Sequence, residues 1–219
     1  MTAKAATKKP SKELIVSLYM NFVLEHETVP KSVFKFCKEN KIKEEEFYKA
    51  FGSFPGIQKS IWVTFFENTM NLLDQNNEFQ QFSGKDKILT FFFTFFEILK
   101  LNRSYVLFVL DEDKNPLRNM EQLKGIRSEI LNFTKELIEE DNSTKALKIT
   151  QHNPKLFSEG AWIQFLFLLK FWVDDTSADF EKTDIAIEKS VKTIFDVFDT
   201  APLNSIIDFG KFLFKENIS

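Results

Sequence analysis

Residues 40–54 read NKIKEEEFYKAFGSF, and the reading of this stretch decides the fold. Phe47 and Phe51 stand one helical turn apart and share a face, while charged side chains fill the others and Gly52 closes the segment. Working upstream, Pro30 marks a start and Ser32 to Glu39 makes a short helix. Ser11 is an N-cap for a longer helix reaching about Glu25, with Leu14, Leu18 and Phe22 on one face and Ile15 beside them. The quoted stretch therefore supplies the third of three helices of about 15, 8 and 8 residues, the second and third joined by a tight turn.

Downstream the apolar residues keep the helical spacing, and six glycines and six prolines leave few places for hairpins. The expected fold class is all-α. A fourth helix follows Pro55 and Gly56 to about Gln75, with Ile57, Ile61, Phe65 and Leu72 on its apolar side. Further helices are expected near 85–101 and 103–110, from Met120 to Glu139, near 159–174 and near 181–198. Pro202 separates the last of these from an amphipathic helix, Ser205 to Glu216. The domains so defined are a disordered basic tail (1–10), a three-helix domain (11–55) and a larger helical body (56–219).

The composition narrows the function. Hydrophobic residues make up 43% of the 219, and 27 are phenylalanine, which calls for core, ligand or partner to cover large apolar surfaces. A single cysteine, Cys37, and two histidines, His26 and His152, exclude an internal disulfide and a usual zinc site. No cofactor or metal is expected. The carboxylates at 174, 175 and 179 have no histidine, nucleophile motif or phosphate loop beside them, so they read as an N-cap and a solvated joint rather than as an enzyme's acid and base. The longest apolar runs, 88–99 and 161–173, fall short of the roughly 20 residues that span a bilayer, and the chain reads as cytoplasmic. Charge is uneven: residues 1–60 hold 11 Lys and 7 Glu, whereas the whole carries −3, which hints at an N-terminal module facing an anion.

Three such helices are the ground plan of a helix-turn-helix. Phe36-Cys37, Ile42 after the turn, the pair Phe47-Tyr48, then Phe51 and the lead into a long helix through GSFPGI resemble the TetR family over about residues 11–75. The resemblance implies DNA contact through Lys31, Lys35, Lys38, Lys41, Lys43, Tyr48 and Lys49. The chain departs from the family where that chemistry lies. Lys41 replaces the turn glycine, so a left-handed conformation there carries a steric cost. Lys43 stands where a hydroxyl caps the reading helix, and Glu44, Glu45 and Glu46 follow. Phe54 occupies the place of a phosphate-binding lysine. Acidic residues suit the first turn of a helix, but they oppose a polyanion whose binding depends on Lys and Arg displacing counterions.

In the body, Phe91, Phe92, Phe93, Phe95 and Phe96 project around nearly the whole circumference of one helix. On another, Trp162, Phe165, Leu166, Leu169 and Trp172 share a face, and Phe167, Leu168 and Phe171 another. Such stripes are core, a hydrophobic pocket or a helix-pair dimer seam. The resemblance implies a ligand held among the central helices and dimerisation through the last long ones. The pocket residues it implies are Phe91, Phe92, Phe95, Phe96, Phe108, Trp162, Phe165, Leu169 and Trp172.

The segment from Trp172 through Asp175, Thr176, Ser177 and Asp179, with Phe195 and Asp208, is also similar to the TetR-like lipid-binding accessory protein of ubiquinone biosynthesis. Phe180 and Lys182 stand where a tyrosine-arginine feature is expected. That resemblance implies an isoprenoid-like lipid in the body and peripheral membrane contact through Ser205 to Glu216, by Ile206, Phe209 and Leu213 with Lys211 and Lys215. The alternative is that this helix packs on the bundle. The leading reading is a TetR-like homodimer that captures an apolar, lipid-like ligand, with DNA binding weak or lost. Its alternative is a working ligand-responsive regulator that binds operator DNA as a dimer; an adaptor whose head docks a protein is the third.

Overall fold

The Ser11 hydroxyl accepts a hydrogen bond from the Leu14 N–H at 3.2 Å, satisfying one of the free donors at the start of the first helix. In the computed structural model, which describes residues 11–112, 116–143 and 151–200, α1 runs Lys12–His26, α2 Val33–Glu39, α3 Glu44–Ala50 and α4 Phe54–Asp74. There follow α5 (Gly84–Leu101), α6 (Arg103–Leu110), α7 (Pro116–Glu121), α8 (Lys124–Ser143), α9 (Pro154–Asp174) and α10 (Glu181–Thr200). All regular structure among the described residues is helical, with short 3-10 turns at Phe79–Gln81 and Ala178–Phe180. Among the described residues the fold is all-α, as the sequence predicts. The expected basic tail and the helix Ser205 to Glu216 lie outside the described residues.

The chain forms two compact units, residues 1–65 with 99–125 and residues 66–98 with 126–219. In the first, Phe36, Phe47 and Phe54 meet edge to face with centroids 5.5–6.2 Å apart, the geometry that aromatic quadrupoles favour. Tyr19 stacks on Phe54 at 5.7 Å and meets Tyr105 edge-on at 6.4 Å. This ring contact turns α1: its buried stripe is Ile15, Tyr19 and Val23, whereas Leu14, expected inside, is 48% exposed. Both stripes are apolar at four-residue spacing, and the bulk of Tyr19 selects between them. On α4, Ile57, Ile61 and Phe65 are buried as expected, but Leu72 is 51% exposed and Leu73 takes the inner position.

The helix expected from Met120 to Glu139 is two helices, broken between Glu121 and Lys124. Gln122 explains the break. Its buried amide accepts from Trp62 Nε1 at 2.8 Å and donates to the carbonyls of Val109 and Asn119 at 2.8 and 2.9 Å. A buried amide with these partners fixes the backbone around it more firmly than helix propensity would.

In the second unit, Phe91, Phe92, Phe95 and Phe96 of α5 are buried, along with Ile126, Ile130, Phe133 and Leu137 of α8 and Phe157, Ala161, Phe165, Leu168 and Trp172 of α9. α9 begins five residues before the expected position, because Asn153 caps it by accepting from the Leu156 N–H at 3.1 Å and Pro154 suits the first helical position. α9 is long and apolar enough to cross a membrane by length and composition. Here it packs along α10, which buries Ile187, Val191 and Phe195.

The joint between α9 and α10 is not the solvated one that the sequence suggests. Asp174 and Asp179 are exposed, but Asp175 is buried. Its Oδ1 accepts from the Ser177 N–H and hydroxyl at 2.8 and 2.6 Å, and its Oδ2 from the Thr183 N–H and hydroxyl at 3.0 and 2.7 Å. Burial opposes the charge, but the bonds from Ser177 and Thr183 outweigh it and hold the carboxyl pKa at about 2.

Candidate functional site

The head is built on the turn between α2 and α3. The Ile42 N–H donates to the Cys37 carbonyl at 2.8 Å and the Lys41 N–H to the Lys38 carbonyl at 3.3 Å, the two bonds that close a helix over a left-handed residue. That residue is Lys41, at φ 56°, so the position that favours glycine is strained as the sequence implies. Lys43 precedes α3 without a side-chain cap. Glu44, Glu45 and Glu46 occupy the first turn.

Lys49, one of the candidate phosphate contacts, does not stand alone. Its Nζ lies 2.5 Å from Glu45 Oε1 and 3.6 Å from Glu46 Oε1, and the hydrogen bond to Glu45 holds its pKa above the ordinary lysine value. Phe54 belongs to the ring cluster and cannot serve as a polar contact. Tyr48 is 55% exposed. Lys31, Lys35, Lys38, Lys41 and Lys43 are exposed and form no ion pair among the described residues.

Of the candidate pocket residues, Phe91, Phe92, Phe95, Phe96, Trp162, Phe165, Leu169 and Trp172 fall in the second unit, whereas Phe108 falls in the first. There Phe108 lines a recess with Leu107, Glu27 and Glu112. In the second unit the rings touch one another: Phe91 and Phe95 stack at 5.7 Å, Phe95 meets Phe165 at 5.6 Å, and Phe96 meets Trp172 at 6.2 Å. Trp162 is only half-buried. It stacks on Phe165 at 5.2 Å, and the Arg127 guanidinium lies 5.9 Å from its ring centroid. Arg127 is itself held by both oxygens of Glu159 at 2.7 and 3.0 Å.

A further concave surface lies between the outward faces of α9 and α10, as an open groove of about 780 Å³. Its walls are Ile163, Phe167 and Phe171 from α9 and Ile185, Ile194 and Val197 from α10. Phe167 is 53% exposed, and Ile163, Phe171, Ile185 and Val197 are also exposed. An apolar surface of this kind on a folded chain marks an interaction site. The Phe167-Phe171 pair was legible on α9. The α10 half, with Ile185, Ile194 and Val197, was missed.

A family model described as Tetracyclin repressor-like, C-terminal domain, matches residues 87–213. No curated protein and no solved structure matches the chain. The matched region starts within α5 and contains α8, α9 and α10 together with the groove, and it is more than half of the sequence. By this match and its helical architecture, the chain belongs to the TetR family.

Proposed function

We propose that the chain is a TetR-type homodimer that captures an apolar, lipid-like ligand in its second unit and whose head holds duplex DNA weakly or not at all. The pairing of Lys49 with Glu45 and Glu46 carries this reading. A lysine already neutralised from its own helix releases no counterion when it meets a phosphate, and the exposed Glu44 and Glu45 add repulsion. The outward face of α9 and α10 supports pairing of two copies, because a second copy of the same apolar surface would cover Phe167 and its neighbours. The concentration of rings in the second unit, with half-buried Trp162 at its margin, supports a greasy ligand. The contacting rings would have to part to admit it. The similarity of residues 172–208 to the ubiquinone-biosynthesis accessory protein points to an isoprenoid-like molecule.

Gentle extraction of the purified protein followed by mass spectrometry tests capture, and an apolar molecule in stoichiometric amount is the expected result. A duplex titration across salt concentrations tests the head. An empty body together with tight, sequence-selective operator binding at physiological salt would overturn the proposal.

The second reading, a working operator-binding regulator, is favoured by Lys31, Lys35, Lys38, Lys41 and Lys43, exposed and without an ion pair among the described residues, around an intact turn. Under that reading Lys35→Glu with Lys38→Glu abolishes a shift of duplex from the gene's own upstream region. Absence of any shift at low salt across a genomic library removes it.

A further inference from the structure

Glu159, Lys182, Lys189, Ser190 and Thr193 join the apolar residues that line the groove, but of its polar side chains only Gln164 is buried, and it lies at the middle. Along α9 the lining runs from Leu156 to Phe171, and along α10 from Lys182 to Phe198; Gln164 and Ser190 stand at the centres of these two stretches. Gln164 is buried, and its Nε2 donates to Ser190 Oγ at 2.9 Å. Ser190 Oγ passes its own hydrogen to the Ile187 carbonyl at 3.1 Å. The strut therefore engages one N–H of the Gln164 amide. The second N–H and Oε1 make no hydrogen bond among the described residues, and the side chain lines the groove.

A primary amide presents a donor and an acceptor side by side, so two such groups related by a two-fold axis satisfy each other reciprocally. In an isologous interface the residue nearest the axis meets its own copy, and Gln164, central to the α9 lining and bonded to the residue central to the α10 lining, is the one nearest an axis through the middle of this face. We propose that Gln164 meets Gln164 of a second copy, the two amides exchanging Nε2–H to Oε1 hydrogen bonds, and that this pair sets the register and like-with-like choice of the dimer. The inference rests on the reading of the α9–α10 face as a dimer seam. A buried polar pair at the centre of such a seam fixes register because any shifted pairing leaves the amides desolvated without partners.

A charge swap tests it, since only a residue that meets itself responds in the required way. Gln164→Glu and Gln164→Lys, one carrying an affinity tag, should each self-associate at least about tenfold more weakly than the wild-type dimer, because like charges then face each other. An equimolar mixture should give mainly the mixed pair by native mass spectrometry, which also shows that both variants fold. Statistical mixing, or variants that pair as the wild type does, would overturn the inference. Phe167→Glu separates it from the seam reading. If that variant is monomeric while both Gln164 variants behave as wild type, the register role falls and the seam stands. If the wild-type chain is itself monomeric at micromolar concentration, both fall.

Discussion

Asp175 holds Thr183, eight residues further along the chain, by both its backbone N–H and its hydroxyl, at 3.0 and 2.7 Å. One carboxylate thus joins the end of α9 to the first turn of α10, while its other oxygen takes Ser177. Removing it leaves the two buried donors of Thr183 and the two part-buried donors of Ser177 without this acceptor. Asp175→Ala is expected to destabilise the fold by about 3 kcal/mol, read as a lower urea midpoint with an unchanged slope. A loss below about 0.5 kcal/mol would show that the joint is held by other contacts.

The same residue predicts a pH dependence. Its folded pKa of about 2 lies below the ordinary aspartate value of 3.8, so it contributes stability that is fully present above about pH 4. That contribution is lost as pH falls from about 4 towards 2. Asp175→Asn should flatten the stability profile in that window and leave its shape at higher pH unchanged. Urea unfolding at neutral pH and near about pH 3 provides the comparison.

Much of the fold was readable because its determinants are local. Ser11 and Ser32 cap α1 and α2 through bonds three residues away, and apolar spacing carries the rest. What was not readable depends on distant partners. The choice of Tyr19 over Leu18 needs Phe54 and Tyr105, and the break at Gln122 needs Trp62 and Val109. Asn153 with Pro154 was a local signal passed over. The acidic first turn of α3 could be read directly, but the four-residue spacing that joins Glu45 to Lys49 was a local signal passed over when Lys49 was taken as a DNA contact. The α10 wall of the groove could not be read, because Ile185, Ile194 and Val197 do not together repeat at helical spacing and stand among Lys182, Lys189, Ser190 and Thr193.

Lys41 provides a test of strain in the head. It takes a left-handed conformation at φ 56° within the bonds that close α2, a place where glycine avoids the Cβ clash. Lys41→Gly should stabilise the protein by about 0.5–1 kcal/mol, after the entropy that glycine adds to the unfolded chain is counted, whereas Lys41→Ala should give no gain. Thermal unfolding of the two variants side by side distinguishes conformational relief from loss of the lysine charge.

Gly125, near the start of α8, lies against α4. A Cβ there would stand 2.8 Å from Val63 Cγ2 and 3.5 Å from the Lys59 carbonyl oxygen. Val63 is β-branched and in a helix has essentially one rotamer, so it cannot step aside. Gly125→Ala is expected to cost about 1–3 kcal/mol, even though alanine has the higher helix propensity. Adding Val63→Ala should recover part of that loss, a coupling that a double-mutant cycle measures.

The head supplies the last prediction. Glu45→Ser with Glu46→Ser removes both carboxylates that hold Lys49 and leaves its ammonium open to a phosphate. Nonspecific duplex affinity should then rise at least about tenfold at low salt, and the slope of log affinity against log salt should steepen by about 0.9 for each additional phosphate that a lysine neutralises. Both readouts are needed, because losing two repelling charges raises affinity even if Lys49 never reaches the duplex, while a steeper slope reports a new cation on the phosphates. Raised affinity with an unchanged slope would mean that the glutamates act only as a repulsive screen. No change in either would mean that the head fails to bind DNA for a reason of shape rather than charge.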